Sequence, residues 1–275
     1  MTIYDQMLAA YPQETEQQKH NARIEVAQLI VLAGLARSDF YSKAAFYGGT
    51  CLRIFHNLQR FSEDMDFSLT QTDGQFNWEN YFPYIEQEFH ALGRSVTITK
   101  KDKRSFGKVE SAFLKDNTEI VNLLFQTEKS IKIKIEVDTN PPLGFATEQL
   151  LLGQPYPFYT RCVTPPDLFA GKIHALLFRQ WKNRVKGRDW YDFEWYIRWN
   201  IPLHFEHLRQ RVRQCNDLDM TKEQFYMMLR EKIEQADMDA IKADVRQFLV
   251  HPSDMDIWSN EYFGLLADRL TFVNP

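Results

Sequence analysis

The sequence predicts an α+β fold: a mixed sheet with flanking helices over residues 1–160, then an α-helical C-terminal domain over residues 161–275. Three observations carry this. Residues 131–138 alternate strictly, with Ile131, Ile133, Ile135 and Val137 set against Lys132, Lys134, Glu136 and Asp138, which is the period of a half-buried strand. Residues 15–38 instead space their apolar positions as a helix does. Beyond residue 164 the pattern is helical throughout.

In chain order, Thr15 to Ser38 reads as one amphipathic helix striped by Ile24, Ala27, Leu29, Ile30, Leu32 and Leu35. Ala44 to Tyr47 is a short apolar run that ends at Gly48-Gly49, and helical character resumes from Thr50 to Asn57. Phe61 to Leu69 alternates as a strand, Trp78 to Leu92 is helical, and Ser95–Lys101 and Glu119–Gln126 are further strands. Pro141, Pro142, Gly144, Gly153, Pro155 and Pro157 punctuate a loop before one more short strand at Arg161–Thr164. Thr164-Pro-Pro-Asp167 supplies an N-cap, a proline at the first helical position and a carboxylate at the third, which starts a helix running to Lys182. Helices follow at 189–199, 205–216, 222–234, 239–250 and 260–270.

Composition bounds the function classes. With 275 residues, 44% hydrophobic and 25% charged, the chain can bury a substantial core, which excludes a disordered or disulfide-stapled protein. Its three cysteines, Cys51, Cys162 and Cys215, are isolated, which predicts a reducing, cytoplasmic setting. No signal peptide or membrane span is expected. The net charge of −4 is uninformative, but residues 161–215 hold eleven Lys or Arg against five Asp or Glu, enough to meet an anionic partner.

Two signals carry chemistry. Gly48-Gly49-Thr50 lies between an apolar strand and a helix start, where free main-chain N–H groups favour phosphate. Fourteen residues past Thr50, Asp64 and Asp66 share a strand face, and two such carboxylates repel unless a cation lies between them. Hard oxygen donors suit Mg²⁺, which takes a few carboxylates together with water and substrate phosphates. Each motif alone also fits an ordinary turn or a solvated strand face. Together they meet the needs of one reaction, nucleotidyl transfer, which must hold a triphosphate and stabilise the reacting phosphorus. A third carboxylate on a neighbouring strand would complete the set: Glu136 first, Asp138 second.

Phe46-Tyr-Gly-Gly-Thr-Cys-Leu-Arg53 and Arg60-Phe-Ser-Glu-Asp-Met-Asp-Phe67 resemble the first motif of the AbiEii/AbiGii toxin family of nucleotidyltransferases, within the polymerase-beta-like superfamily. Lys134-Ile-Glu136-Val resembles the second motif. Pro166-Asp-Leu-Phe-Ala-Gly-Lys172 and Lys186-Gly-Arg188-Asp189-Trp-Tyr-Asp192 resemble the later ones. The resemblance implies Mg²⁺-dependent transfer of NMP from an NTP, with a tRNA 3′ end as the expected acceptor, by the toxin of a toxin–antitoxin or phage-defence pair with a cognate antitoxin. It places Gly48, Gly49 and Thr50 on the phosphates, Asp64, Asp66 and Glu136 on the metal, and Lys172 on a phosphate. Asp189 would hold Lys172 or the acceptor, with Asp192 behind it and Arg179 and Arg188 in support. Many members carry a lysine where this chain has Tyr47, which puts one phosphate contact in doubt.

The later motif also reads without the family. On one helix Lys172 and Arg179 lie two turns apart, a cationic face opposite Phe169, Ile173, Leu176 and Leu177, and residues 179–188 hold five cations with Trp181 among them. That composition suits an RNA backbone or an exposed connection. Lys100 to Arg104 reads as a solvated turn. His174 reads as a packed residue, and Trp190, Tyr191, Phe193, Trp195, Tyr196 and Trp199 as core. Two other functions fit the pattern: a catalytically silent nucleotide-binding module, and a nucleotidyltransferase acting on a small molecule. A protein hydroxyl is a further acceptor class. The active site is expected in a cleft between the two domains.

Overall fold

A computed structural model describes residues 1–100, 118–125, 131–179 and 185–274. The chain divides into two compact units. The first comprises Met1–His56, Ser62–Pro141 and Thr147–Cys162, and the second comprises Asn57–Phe61, Pro142–Ala146 and Val163–Pro275. Two short segments, around Arg60 and Gly144, thus belong with the helical unit that takes in the chain from Val163.

The first unit opens with α1 (Ile3–Ala9), capped by a Thr2–Asp5 capping box that the sequence reading missed. Then comes α2 (Glu16–Ala36), which Thr15 and Gln18 cap in the same way. Ile30 through Leu35 are all fully or nearly fully buried, so α2 is a core helix. A short α3 (Phe40–Lys43) leads into β1 (Ala44–Tyr47) and α4 (Gly48–Phe55). Next are β2 (Met65–Leu69), α5 (Phe82–Ala91), β3 (Val96–Lys100), β4 (Thr118–Phe125), β5 (Lys132–Asp138), β6 (Thr147–Leu152) and β7 (Phe158–Val163). The seven strands form one sheet in the order β3-β4-β5-β2-β1-β7-β6. It is mixed: β2 runs antiparallel to β1 and parallel to β5, while β4 is antiparallel to both β3 and β5.

Two differences from the sequence reading have physical causes. The strand expected from Phe61 starts only at Met65, because the Phe61 amide donates to Phe248 O and Arg60 bridges to Leu249 in the second unit. The segment expected as a loop contains β6, a half-exposed edge strand whose Gly and Pro neighbours hide it.

The second unit is helical: α6 (Pro165–Phe178), α7 (Gly187–Arg198), α8 (Phe205–Asn216), α9 (Lys222–Glu234), α10 (Met238–Val245) and α11 (Asn260–Asp268). Its core takes in Phe169, stacked on Tyr196 with ring centroids 4.3 Å apart, and Phe193, Phe225 and Phe263. Five of the six aromatics expected in the core are buried there; Trp199, at the C-cap of α7, is 61% exposed. Helix α6 ends at Phe178, short of the expected Lys182; residues 180–184, with Trp181 and two of the basic residues, lie outside the described residues, as do 101–104 of the expected basic turn.

Candidate active site

Helix α4 begins at Gly48 itself, so the paired glycines form its first turn. The main-chain N–H groups of that turn have no partner within the helix, and they point outward at its start. Gly48 has φ +83, and a Cβ there would lie 2.5 Å from Asp66 Oδ2. Only glycine lets the backbone come this close to the carboxylate. Thr50 is fully buried, and its hydroxyl donates to the main-chain carbonyl of Asp64. Its side chain therefore faces the carboxylate loop, which leaves main-chain N–H groups as what the turn offers to phosphate.

A residue that sequence reasoning missed holds the same loop from the other side. Gln28, on α2 and fully buried, donates from Nε2 to Ser62 O at 2.9 Å and to Glu63 O at 3.1 Å. The signal was a glutamine inside an otherwise apolar helical stripe, since a buried amide must find partners.

Register settles which carboxylates neighbour one another. Asp66 pairs with Tyr47 on β1 and with Glu136 on β5, and Glu136 pairs in turn with Ile120 on β4. Residues in register on adjacent strands share a face, so Asp66 and Glu136 stand side by side. Asp138 is opposite Ser68 instead, and its Oδ1 accepts the Asn140 amide. Asp64 precedes β2 by one residue and is half-buried. Lys134, one residue before the partner of Met65, reaches Glu136 Oε1 at 2.6 Å. Burial works to lower its proton affinity, but Glu136, then Asp64 and Asp66, hold the ammonium above its ordinary value.

These carboxylates offer hard oxygen donors, and a pair of them fits Mg²⁺, which is content with one or two carboxylates plus substrate phosphates. Among the described residues no three His, Cys, Asp or Glu converge as a metal-holding group.

The second unit builds its own charged cluster. Lys172 Nζ on α6 lies 2.6 Å from Asp192 Oδ2 and 3.8 Å from Asp189 Oδ1. Arg179 Nη1 donates to Asp189 Oδ2 at 3.1 Å. Asp189, expected to hold Lys172 or the acceptor, is shared between Lys172 and Arg179, and Asp192 is the nearer of the two acids to Lys172. The cationic face expected on α6 is tied to two buried acids of α7. Asp192 is also gripped by a residue not singled out before, Arg60, whose Nε and Nη2 each lie 2.6 Å from a different carboxylate oxygen. Both side chains of that fork are buried, at 2% and 0% exposure. Burial pushes the Asp192 carboxyl up, but Arg60 and then Lys172 overcome this and hold it below its ordinary value. Lys186, just ahead of α7, is pushed down to about 8, by burial first and then by the Arg179 guanidinium. Arg188 lies over the Phe248 ring at 4.2 Å. His174 is packed, with Nε2 2.8 Å from Asn216 Oδ1.

Residues 30–260 match the family described as nucleotidyl transferase AbiEii toxin, type IV toxin–antitoxin system. The chain belongs to this family. It is a nucleotidyltransferase of the AbiEii type. Among solved structures it is similar to MenT4, a nucleotidyltransferase toxin from Mycobacterium tuberculosis H37Rv, at 15% identity and TM-score 0.57, covering 97% of this chain and 87% of that one. It is also similar to JHP933 from Helicobacter pylori, at 16% identity and TM-score 0.52, covering 93% of this chain and 90% of that one. At such identities the likeness shows a shared fold alone, over nearly the whole chain. No curated protein sequence matches it. Among its described residues, no helix is long and apolar enough to cross a membrane.

Proposed function

We propose that this AbiEii-family chain transfers a nucleoside monophosphate from an NTP to an RNA acceptor, a tRNA 3′ end above all, in a Mg²⁺-dependent reaction in the cytoplasm. The observation that carries the reading is the packing of Gly48 on Asp66. It sets a phosphate-seeking helix start directly against a cation-seeking carboxylate. In this reading the N–H groups of Gly48, Gly49 and Thr50 hold the triphosphate, Asp64 and Asp66 hold the cation, and Glu136, ahead of Asp138, stands beside them as the third carboxylate.

Mg²⁺, when bound, neutralises charge developing on the phosphate and lowers the cost of ionising the attacking hydroxyl. Lys172 acts on a phosphate as a point charge, oriented by Asp192 and Asp189. Arg179 and Arg188 support that cluster. The excess of cations between residues 161 and 215 favours a polyanionic acceptor over a small molecule or a protein hydroxyl. The type IV context supports a cognate antitoxin that opposes the toxin.

The test is incubation of wild type and Asp66→Ala protein with each labelled NTP, Mg²⁺ and either total tRNA or a protein extract. Label on tRNA with wild type alone is the expected result. Label on protein alone overturns the acceptor, and equal labelling by Asp66→Ala overturns the site.

A further inference from the structure

Lys134 stands on the same face of β5 as Glu136 and takes no part in the proposed reaction. Its ammonium lies 2.6 Å from Glu136 Oε1, and the side chains are 32% and 17% exposed, so water only partly screens the pair. Asp64 and Asp66 flank Met65, whose register partner Ile135 is flanked by Lys134 and Glu136. Glu136 in turn stands in register beside Asp66. An ion bridging Asp66 and Glu136 would have to displace a lysine already seated on Glu136. Three carboxylates and one ammonium leave a net charge of −2, which one divalent ion balances.

We infer that Lys134 is a built-in cation of the carboxylate face: it occupies Glu136 and restricts the chain to a single divalent ion, held by Asp64 and Asp66. The inference rests on the proposed metal role of these aspartates. It makes Lys134 a positioning residue that does permanently, with one charge, what a second metal ion would otherwise do. Lys132, two residues back on the same face of β5, is exposed and pairs in register with Leu124. It serves as the internal control.

The test is a Mn²⁺ titration of the full chain, followed by electron paramagnetic resonance of free Mn²⁺, with far-UV circular dichroism on each variant. Wild type and Lys132→Met should bind one Mn²⁺ per chain, and Asp66→Asn should lose it. Lys134→Met should gain a second site or bind at least about tenfold tighter, the scale of removing one competing charge at close range. Lys134→Met/Glu136→Gln should lose that gain, and Lys134→Arg, which keeps the charge and guards against a folding artefact, should behave as wild type. Two sites in wild type, or no gain in Lys134→Met when wild type keeps one Asp66-dependent site, overturns the inference alone. No saturable binding in wild type overturns the metal reading of Asp64 and Asp66 and the inference with it.

Discussion

The Thr50 hydroxyl donates to the main-chain carbonyl of Asp64, tying the first turn of α4 to the loop that carries the carboxylates. With Gln28 on Ser62 and Glu63, it fixes three consecutive residues ahead of β2, all through their main-chain carbonyls. Thr50→Val keeps the shape and leaves the Asp64 carbonyl without its donor in a part-buried place, at a cost of about 1–3 kcal/mol. It also releases Asp64, and turnover should fall about 10- to 100-fold, the usual penalty for displacing a reacting group by a fraction of its reach. Thr50→Ser retains the donor and should stay within about twofold, an order-of-magnitude expectation from the same bond. Steady-state transfer rates with thermal melts decide it, and loss in Thr50→Ser with Thr50→Val unimpaired would show that the methyl, not the hydroxyl, matters.

Gly48 and Gly93 make a matched pair for separating strain from site geometry. Both have positive φ, +83 and +72, so alanine at either should cost about 1–2 kcal/mol of stability. A Cβ at Gly93 meets nothing within 4 Å, whereas at Gly48 it runs into the Asp66 carboxylate. Gly48→Ala should therefore lose most transfer activity and Gly93→Ala none. Similar activities in the two would disconnect the Gly48–Asp66 contact from catalysis.

Arg60 and Asp192 form a buried fork that also carries Lys172. Removing the guanidinium as Arg60→Met leaves a buried carboxylate short of a partner, which should cost about 3–5 kcal/mol in urea unfolding. The pH dependence has a definite sign. A carboxyl held low in the folded chain binds fewer protons there than when unfolded, so its stabilisation is complete above the unfolded value of about 3.9 and drains away as pH falls through the lower folded value. Asp192→Asn should be less stable at neutral pH and lose less on acidification below about pH 4. Parallel acid-unfolding curves for the two proteins would refute the assignment.

How much of this was legible follows from distance along the chain. The alternation over residues 131–138 was readable because each position answers to its own burial, and the aspartates were readable because two residues suffice to show the motif. The Arg60–Asp192 fork spans 132 residues, and an arginine ahead of a strand looks like any solvated charge until the chain is folded. Alternation put Glu136 and Asp138 on one face, with Glu136 ranked first, but only strand register names Glu136 as the neighbour of Asp66. Asp189 was expected beside Lys172 and lies 3.8 Å from it, but the nearer Asp192 was placed behind. Asp189 and Asp192 are one helical turn apart, and spacing alone does not say which of them faces α6.

Lys186 supplies the last prediction. Burial and the neighbouring Arg179 push it down to about 8, whereas an unfolded lysine titrates near 10.4. Between those values the folded chain binds fewer protons than the unfolded chain, so this group makes stability rise with pH across that window. At neutral pH its charge is an unfavourable one, because burial together with Arg179, Arg188 and Lys172 outweighs Asp189. Lys186→Gln should accordingly gain stability over wild type at pH 7, and the advantage should shrink as pH rises from about 8 toward 10. Urea unfolding of both proteins at four pH values across that range measures the difference directly. An advantage that grows with pH would mean that the folded state holds the Lys186 proton more tightly than the unfolded chain does, and that the cluster before α7 is anion-rich rather than cation-rich.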